Sequence, residues 1–182
     1  MFFMMVCREA YMFKCFYPTV YYDSVYSIDF WKLYFKGYRA LLMDIDNTLV
    51  EHDAPANEEA IAFFSMLHNI GYKTCIVSNN TEERVKTFAV AVDSEYVFLA
   101  EKPRIDGYLK AMELMECSKE NSLFLGDQLF TDILGANKAG IRSVLVKPIK
   151  LDPVFRIILK RGLEAIVKPF YFRYARKYPK DL

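Results

Sequence analysis

The stretch LLMDIDNTLV, residues 41–50, is an apolar run that ends in two aspartates, Asp44 and Asp46. Two carboxylates this close repel each other unless a cation or a proton lies between them. Oxygen ligands of this charge suit Mg²⁺, and a carboxylate beside Mg²⁺ can attack phosphorus to give an aspartyl-phosphate. The second carboxyl could protonate the leaving oxygen and later take a proton from water. A turn with two solvated aspartates explains the pair by itself equally well.

The segments around this stretch alternate between strand-like and helix-like patterns. Such alternation predicts right-handed βαβ units, and hence an α/β fold with a parallel five-stranded sheet and helices on both faces. Ligands of such sheets bind beyond the carboxyl ends of the strands. Strands are predicted at 39–45, 73–78, 96–99, 122–127 and 142–147, and helices at 57–71, 81–92, 104–116 and 129–140.

Polar residues follow several of these predicted strands. Ser78 could hold a phosphoryl oxygen, although a serine there is more often a helix cap. Lys102, directly before Pro103, could neutralise a nucleophile and a phosphoryl group, although an isolated lysine is usually a surface residue. Asp127 follows a strand and a glycine, and Asp132 comes five residues later, but a Gly-Asp turn by itself is common.

The order and spacing of these residues are more specific than any one of them. D-x-D-x-T at 44–48, Ser at 78, Lys-Pro at 102–103 and G-D-x4-D at 126–132 resemble the four motifs of the haloacid dehalogenase-like (HAD) phosphatase superfamily. The resemblance covers about residues 38–148 and implies the Rossmann-like HAD fold. Because haloacid dehalogenases themselves lack the second aspartate, the resemblance favours phosphate-ester hydrolysis over cleavage of a carbon–halogen bond.

The resemblance also implies a role for each motif residue. Asp44 would be the nucleophile and a Mg²⁺ ligand, and Asp46 the general acid and base, binding the metal through its backbone carbonyl. Ser78 would bind the phosphoryl group, Lys102 would be a catalytic and substrate-binding cation, and Asp127 would complete the metal site. The further implied positions are Thr48 and Asn79 on the substrate side, and Asp132 as a supporting acid for Lys102 or for the waters of the metal.

An inserted cap domain has no room in this chain. Only 29 residues lie between Thr48 and Ser78, and only 23 between Ser78 and Lys102, so each segment holds little more than one helix. An uncapped site is open to large substrates such as a protein, a nucleic-acid end or a lipid head group.

Charge is distributed unevenly along the chain. Residues 1–154 carry a net charge of −5, whereas residues 155–180 carry eight basic residues against Glu164 alone. We divide the chain into an N-terminal arm (1–37), a HAD phosphatase core (38–150) and a basic, aromatic C-terminal extension (151–182). The arm is rich in aromatic residues and precedes the first predicted strand, so we expect it to cover the core. The extension would either lie in a membrane interface through residues 155–180 or pack on the sheet as a helix with a solvated basic face. Nucleic acid is the least favoured partner.

A narrower resemblance concerns the substrate. The segments SIDFWKLYFKGYRALLMDIDNTLV, SNNTEERV, EKPR and KPIKLDPVFRIILKRGLE are similar to the YqeG-type subgroup of class IIIA HAD phosphatases. Relatives in mitochondria and plastids remove the phosphate from phosphatidylglycerophosphate, which implies that anionic phospholipid as substrate. A soluble sugar-phosphate or nucleotide phosphatase, and a weakly active membrane- or RNA-binding module, remain alternatives.

The remaining features indicate location. The four cysteines have no metal-ligand spacing and are expected to be reduced thiols in a cytoplasmic protein, with Cys75 in a core strand. No apolar run approaches the roughly 18–20 residues that span a bilayer. The first residues, MFFMMVC, lack the pattern of a signal peptide, and Met12 is an alternative start. The chain is therefore expected in the cytoplasm, with peripheral contact to the membrane.

Overall fold

The structure is a computed structural model that describes residues 13–150 and 155–177, the side chains at 155–161 and at 177 excepted. The predictions about Met12 as a start, and about the basic residues beyond position 177, lie outside the described residues.

A parallel sheet forms the centre of the molecule, as the alternating pattern predicts. The first strand of the chain lies at one edge of the sheet and pairs with the last strand of the chain. The strand directly before Asp44 lies in the middle of the sheet. In spatial order, the strands of the described residues are Val20–Tyr22 (β1), Arg142–Val146 (β6), Ser122–Gly126 (β5), Ala40–Met43 (β2), Lys73–Val77 (β3) and Glu95–Val97 (β4).

Helices cover both faces of this sheet because successive strand residues point to opposite sides. Leu41 and Met43 of β2 pack into one core cluster, and Ala40 and Leu42 into another on the other face. The helices of the described residues are Phe30–Phe35 (α1), Glu58–Ile70 (α2), Glu82–Ala91 (α3), Asp106–Leu114 (α4), Leu134–Ala139 (α5) and Phe155–Lys177 (α6), with a π-helical turn at Leu129–Ile133 before α5.

Helix α2 shows how local sequence sets these boundaries. The Asn57 side chain accepts a hydrogen bond from the Ala60 amide at the start, and Gly71 ends the helix with φ 107°, a conformation that favours glycine. Phe63, Phe64, Leu67 and Ile70 of this helix face the core, whereas Ile61 is 41% exposed. Only one helix lies between β2 and β3 and one between β3 and β4, so these segments form no cap.

Two of the sequence predictions need correction or refinement. The five predicted strands are confirmed, but a sixth, β1, comes from the arm and pairs in parallel with β6. The prediction missed it because a three-residue strand at a sheet edge carries almost no periodic signal. The arm thus extends the sheet, whereas we expected it only to cover the core.

The described part of α6 packs on the core through one face. Val167 and Tyr171 are buried in a cluster with Leu129 and Ile133. This contact favours the packed-helix interpretation for that face, whereas Leu163, Ile166, Arg173 and Arg176 of α6 are exposed. In the part of the chain that the structure covers, no helix combines the length and apolar character needed to cross a membrane.

Candidate active site

The carboxyl ends of β2, β3 and β5 bring the predicted residues to one edge of the sheet. Asp44 follows β2, Ser78 follows β3 and Asp127 follows β5, and β2 lies between the other two strands. Parallel strands end on the same side, so residues far apart in sequence meet there. A cleft of about 150 Å³ opens at this edge, lined by Asp44, Asp46, His52, Ser78, Asn79, Asn80, Lys102, Gln128, Thr131 and Asp132.

Lys102 lies between two buried carboxylates. Its Nζ atom is 2.7 Å from Asp44 Oδ1 and 2.8 Å from Asp132 Oδ1, and all three residues are buried. Asp132 thus makes the contact that one of its two predicted roles requires, and the role itself stays a prediction. A buried ammonium with two charged partners has little freedom to move, so Lys102 holds the Asp44 carboxylate in a fixed orientation.

Burial and neighbouring charges change the proton affinities of these groups. Burial raises the pKa of Asp44 to about 7; Lys102 opposes this rise, and Asp132 and Asp46 add to it. Burial by itself would lower the pKa of Lys102, but Asp132 and Asp44 raise it above its ordinary value. Lys102 therefore stays charged at neutral pH, whereas Asp44 lacks enough positive charge around it to be fully ionised.

The carboxylates of Asp44, Asp127 and Asp132 form a buried acidic cluster. One oxygen from each lies within 4.8 Å of the others. When all three carboxyls are ionised, they exceed the single positive charge of Lys102 by two. Oxygen donors with this excess of negative charge fit a hard divalent cation. A bound cation would also lower the pKa of Asp44.

The Asp46 side chain is fixed by groups outside the strand ends. Its Oδ1 accepts hydrogen bonds from the Asp53 amide at 2.9 Å and from Arg84 Nη2 at 3.2 Å, and its Oδ2 accepts one from Asn80 Nδ2 at 2.5 Å. Both carboxylate oxygens therefore have donors while the residue still faces the cleft.

The predicted substrate-side residues other than Lys102 occupy different positions. Ser78 is buried at the cleft wall, where its Oγ accepts a hydrogen bond of 3.3 Å from the Asn80 amide. Asn79 also lines the cleft, but its side chain bonds the backbone of Lys102, accepting from the amide at 2.7 Å and donating to the carbonyl at 3.3 Å. Thr48 is buried in the turn after Asp46. Asn79 thus orders the Lys102 loop.

Gly126 and Tyr108 allow Asp132 to approach Lys102. A Cβ atom at Gly126 would lie 2.6 Å from the Asp132 side chain, so only glycine fits there. The buried hydroxyl of Tyr108 donates to the carbonyl oxygens of Thr131 and Asp132, each at 3.1 Å. The glycine of the Gly-Asp motif therefore has a packing role that the sequence pattern did not reveal.

Sequence reasoning missed several residues of this site. Arg84 and Asn80 bind Asp46, and His52, Gln128 and Thr131 line the cleft. Arg84 and Asn80 belong to the quoted segment SNNTEERV, but a motif read along the chain does not show which distant carboxylate such side chains contact. His52 carried no signal beyond its position six residues after Asp46.

Comparisons with known proteins indicate the family of this chain. The HAD-hydrolase-like family model matches residues 99–148. The probable phosphatase YqeG of Bacillus subtilis is 36% identical over 152 residues, which cover 83% of this chain and 88% of that protein. PpaX of Caldanaerobacter subterraneus, a candidate pyrophosphatase, is 30% identical over 131 residues, which cover 67% of this chain and 57% of that protein. One crystal structure is 15% identical to this chain, and the match covers 73% of this chain and 84% of the other, with a TM-score of 0.52. It supports the fold alone.

The similarity to YqeG extends over most of both chains, so it concerns the whole fold and not one shared motif. It also confirms the predicted superfamily and enzyme class, and the parallel sheet described above confirms the predicted fold class. The chain belongs to the HAD-like hydrolase superfamily, as a member of its YqeG-type group of phosphatases.

Proposed function

We propose that this HAD-family phosphatase is a Mg²⁺-dependent phosphate monoesterase that acts through an aspartyl-phosphate on Asp44, with phosphatidylglycerophosphate as its substrate. The observation that carries the chemistry is the Asp44 carboxylate, held 2.7 Å from the Lys102 ammonium at the wall of a cleft. A fixed carboxylate beside a buried cation suits attack on a phosphoryl group, whose charge the cation also stabilises.

The reaction has two steps in which Asp46 transfers a proton in opposite directions. In the first, an Asp44 oxygen bonds to phosphorus, the ester P–O bond breaks, and the leaving oxygen takes the proton of Asp46. In the second, a water molecule attacks the phosphorus of phospho-Asp44 and gives its proton to Asp46, so phosphate and free Asp44 are released. Asp46 faces the cleft, as this double role requires.

Magnesium fits the donor set of the acidic cluster. Asp44 and Asp127 would hold it by carboxylate oxygens and Asp46 by its backbone carbonyl, while Asp132 stays with Lys102. When bound, Mg²⁺ would supply positive charge to the phosphoryl oxygens and to the excess carboxylates. Lys102 would remain the only protein cation in contact with Asp44 among the described residues.

The shape of the site favours a substrate whose bulk stays outside it. A cleft of about 150 Å³ holds a phosphoryl group and little more. Helix α6 contacts the turn Leu129–Ile133, which contributes Thr131 and Asp132 to the wall of that cleft. Helix α6 therefore packs against an element that forms part of the site.

The solvent-facing side of α6 has the character of a lipid-binding surface. Leu163 and Ile166 are 50% and 58% exposed and lie one helical turn apart, and Arg173 and Arg176 are exposed farther along the helix. Apolar side chains beside basic ones suit the interface of an anionic membrane, where each basic residue contributes around 1 kcal/mol.

Substrate preference tests the proposed activity directly. Initial rates should be measured with Mg²⁺ and with EDTA on phosphatidylglycerophosphate in mixed micelles, beside pyrophosphate, glyceraldehyde 3-phosphate and a nucleoside monophosphate. We expect Mg²⁺-dependent turnover of the lipid, and none by Asp44→Asn. Preference for a soluble ester would refute the lipid substrate, and absence of turnover on every compound would favour a binding module.

Membrane contact needs a separate test that keeps the fold intact. The double variant Leu163→Ser/Ile166→Ser should lose most of its co-sedimentation with vesicles rich in phosphatidylglycerol. The matched control Val90→Ser/Leu109→Ser changes two other exposed apolar residues, on α3 and α4, and should bind as the wild type does. Equal binding by both double variants would exclude this face of α6 as the lipid surface.

A further inference from the structure

Arg84 connects the proposed proton donor to two other parts of the chain. Its Nη2 atom donates to Asp46 Oδ1 at 3.2 Å and to the Ala54 carbonyl at 2.7 Å, and the residue itself lies in the first turn of α3. One guanidinium thus joins the segment after β2, the loop before α2, and α3. These elements are separated by up to 38 positions in sequence.

The setting of Arg84 differs from that of a surface ion pair. Its side chain is 18% exposed and that of Asp46 is 13% exposed, whereas the Lys73–Glu116 pair is 56% and 85% exposed. The Nε atom of Arg84 is also buried with no hydrogen-bond partner among the described residues. An unpaired buried donor costs free energy, so stability by itself gives a weak reason for an arginine here.

The second carboxylate oxygen of Asp46 has its own donor, Asn80 Nδ2. With Arg84 and the Asp53 amide on Oδ1, rotation of the carboxylate about its bond to Cβ would break hydrogen bonds on both sides. Arg84 is absent from the cleft wall, so any effect on the substrate must pass through Asp46. Proton transfer needs the donor within hydrogen-bond reach of the leaving oxygen, and small displacements are costly.

We propose that Arg84, together with Asn80, is a positioning residue that holds the Asp46 carboxyl in line with the oxygen of the leaving group. This inference rests on the proposed function, because it assigns Arg84 to the proton-transfer step of that reaction. It predicts that loss of Arg84 impairs the departure of poor leaving groups more than that of good ones. A good leaving group departs as the anion and needs no proton from Asp46.

The test compares aryl phosphates whose leaving groups range from dinitrophenolate to phenolate, at constant pH with Mg²⁺. The parameter is kcat/KM, which reports the steps up to and including formation of phospho-Asp44. Arg84→Met should lose about 10²-fold on phenyl phosphate and less than about 3-fold on the dinitrophenyl ester, with the same trend as Asp46→Asn. Arg84→Lys keeps the positive charge but loses the planar guanidinium group. Its dependence on the leaving group should lie between that of the wild type and that of Arg84→Met.

Arg142→Met is the matched control, because Arg142 also donates one side-chain hydrogen bond, to Tyr38 Oη, but lies at the start of β6. It should show no dependence on the leaving group. An equal loss across the series for Arg84→Met, or no loss, would overturn the inference while the activity of the wild type still supports the proposed function. Absence of wild-type turnover on every ester would overturn both. If Arg84→Met does not fold, the slope of the Arg84→Lys series decides.

Discussion

Replacing Lys102 by methionine removes the ammonium group between Asp44 and Asp132 and keeps a side chain of similar length. The two N–O distances in the native protein are 2.7 and 2.8 Å. The variant therefore leaves the buried acidic cluster without the cation that pairs with it. We expect a large loss of stability in the absence of divalent metal, and loss of most activity in its presence.

The magnitude follows from the burial of all three groups. Removing one partner of a buried ion pair costs about 3–5 kcal/mol, because the remaining charge has neither water nor a counterion. The exposed Lys150–Glu51 pair, at 3.0 Å, provides the matched control. Exposed pairs contribute at most about 1 kcal/mol, so Lys150→Met should change the free energy of unfolding little.

Urea unfolding in EDTA at pH 8 measures this difference, with the slope of the transition checked for constancy. Lys102 lowers the pKa of Asp44 in the native protein, so its loss should raise that pKa further. The folded variant must then either keep an uncompensated charge or bind a proton, and binding a proton becomes less favourable as the pH rises. Near pH 6 the variant should recover part of its stability by protonation of the cluster. If Lys102→Met and Lys150→Met lose equally little at pH 8, the buried pairing does not stabilise the fold and the reasoning is wrong.

Three further predictions concern other parts of the site. The pKa of Asp44 is raised from 3.8 to about 7, so the folded protein binds a proton that the unfolded chain releases. The free energy of unfolding in EDTA should therefore fall as the pH rises from about 4 to 7. A similar slope in Asp44→Asn would contradict this prediction. Gly126→Ala should lose about 1–3 kcal/mol and most activity by displacing Asp132, whereas Gly162→Ala, with open space around its Cβ position, should be neutral or stabilising in thermal unfolding. Glu164→Ala leaves a buried amide of the π-helical turn unpaired and should cost about 1–3 kcal/mol in urea unfolding; a loss below about 0.5 kcal/mol would show that the contact does not stabilise the turn.

Much of the fold was predictable because its elements carry strong local signals. Helix α2 has an asparagine cap, a helical apolar period and a terminal glycine, and its predicted bounds differ by one residue at each end. Strand β1 has no comparable signal, since its three residues are all half-buried and its pairing with β6 joins segments more than 120 residues apart. The prediction of the sheet therefore failed only at its edge.

The candidate site was predictable in its motif residues and unpredictable in the contacts between them. The spacing of Asp44, Ser78, Lys102 and Asp127 indicated the superfamily, and the assignment of their individual roles stays a prediction. The engagement of Asn79 with the Lys102 backbone did not follow from the motif, because a polar residue after a strand can face either the cleft or the neighbouring loop.

By itself, the sequence determined the alternation of strands and helices and the identity of the chemical groups at the strand ends. These depend on the spacing of apolar residues and on residue type, which are local properties. The tertiary structure decided which groups meet: Lys102 with Asp44 across 58 positions, Arg84 with Asp46 across 38, and Glu164 with the Leu129 amide across 35. Such contacts depend on strand order and on how the helices pack over the sheet, so they exist only once the whole chain has folded.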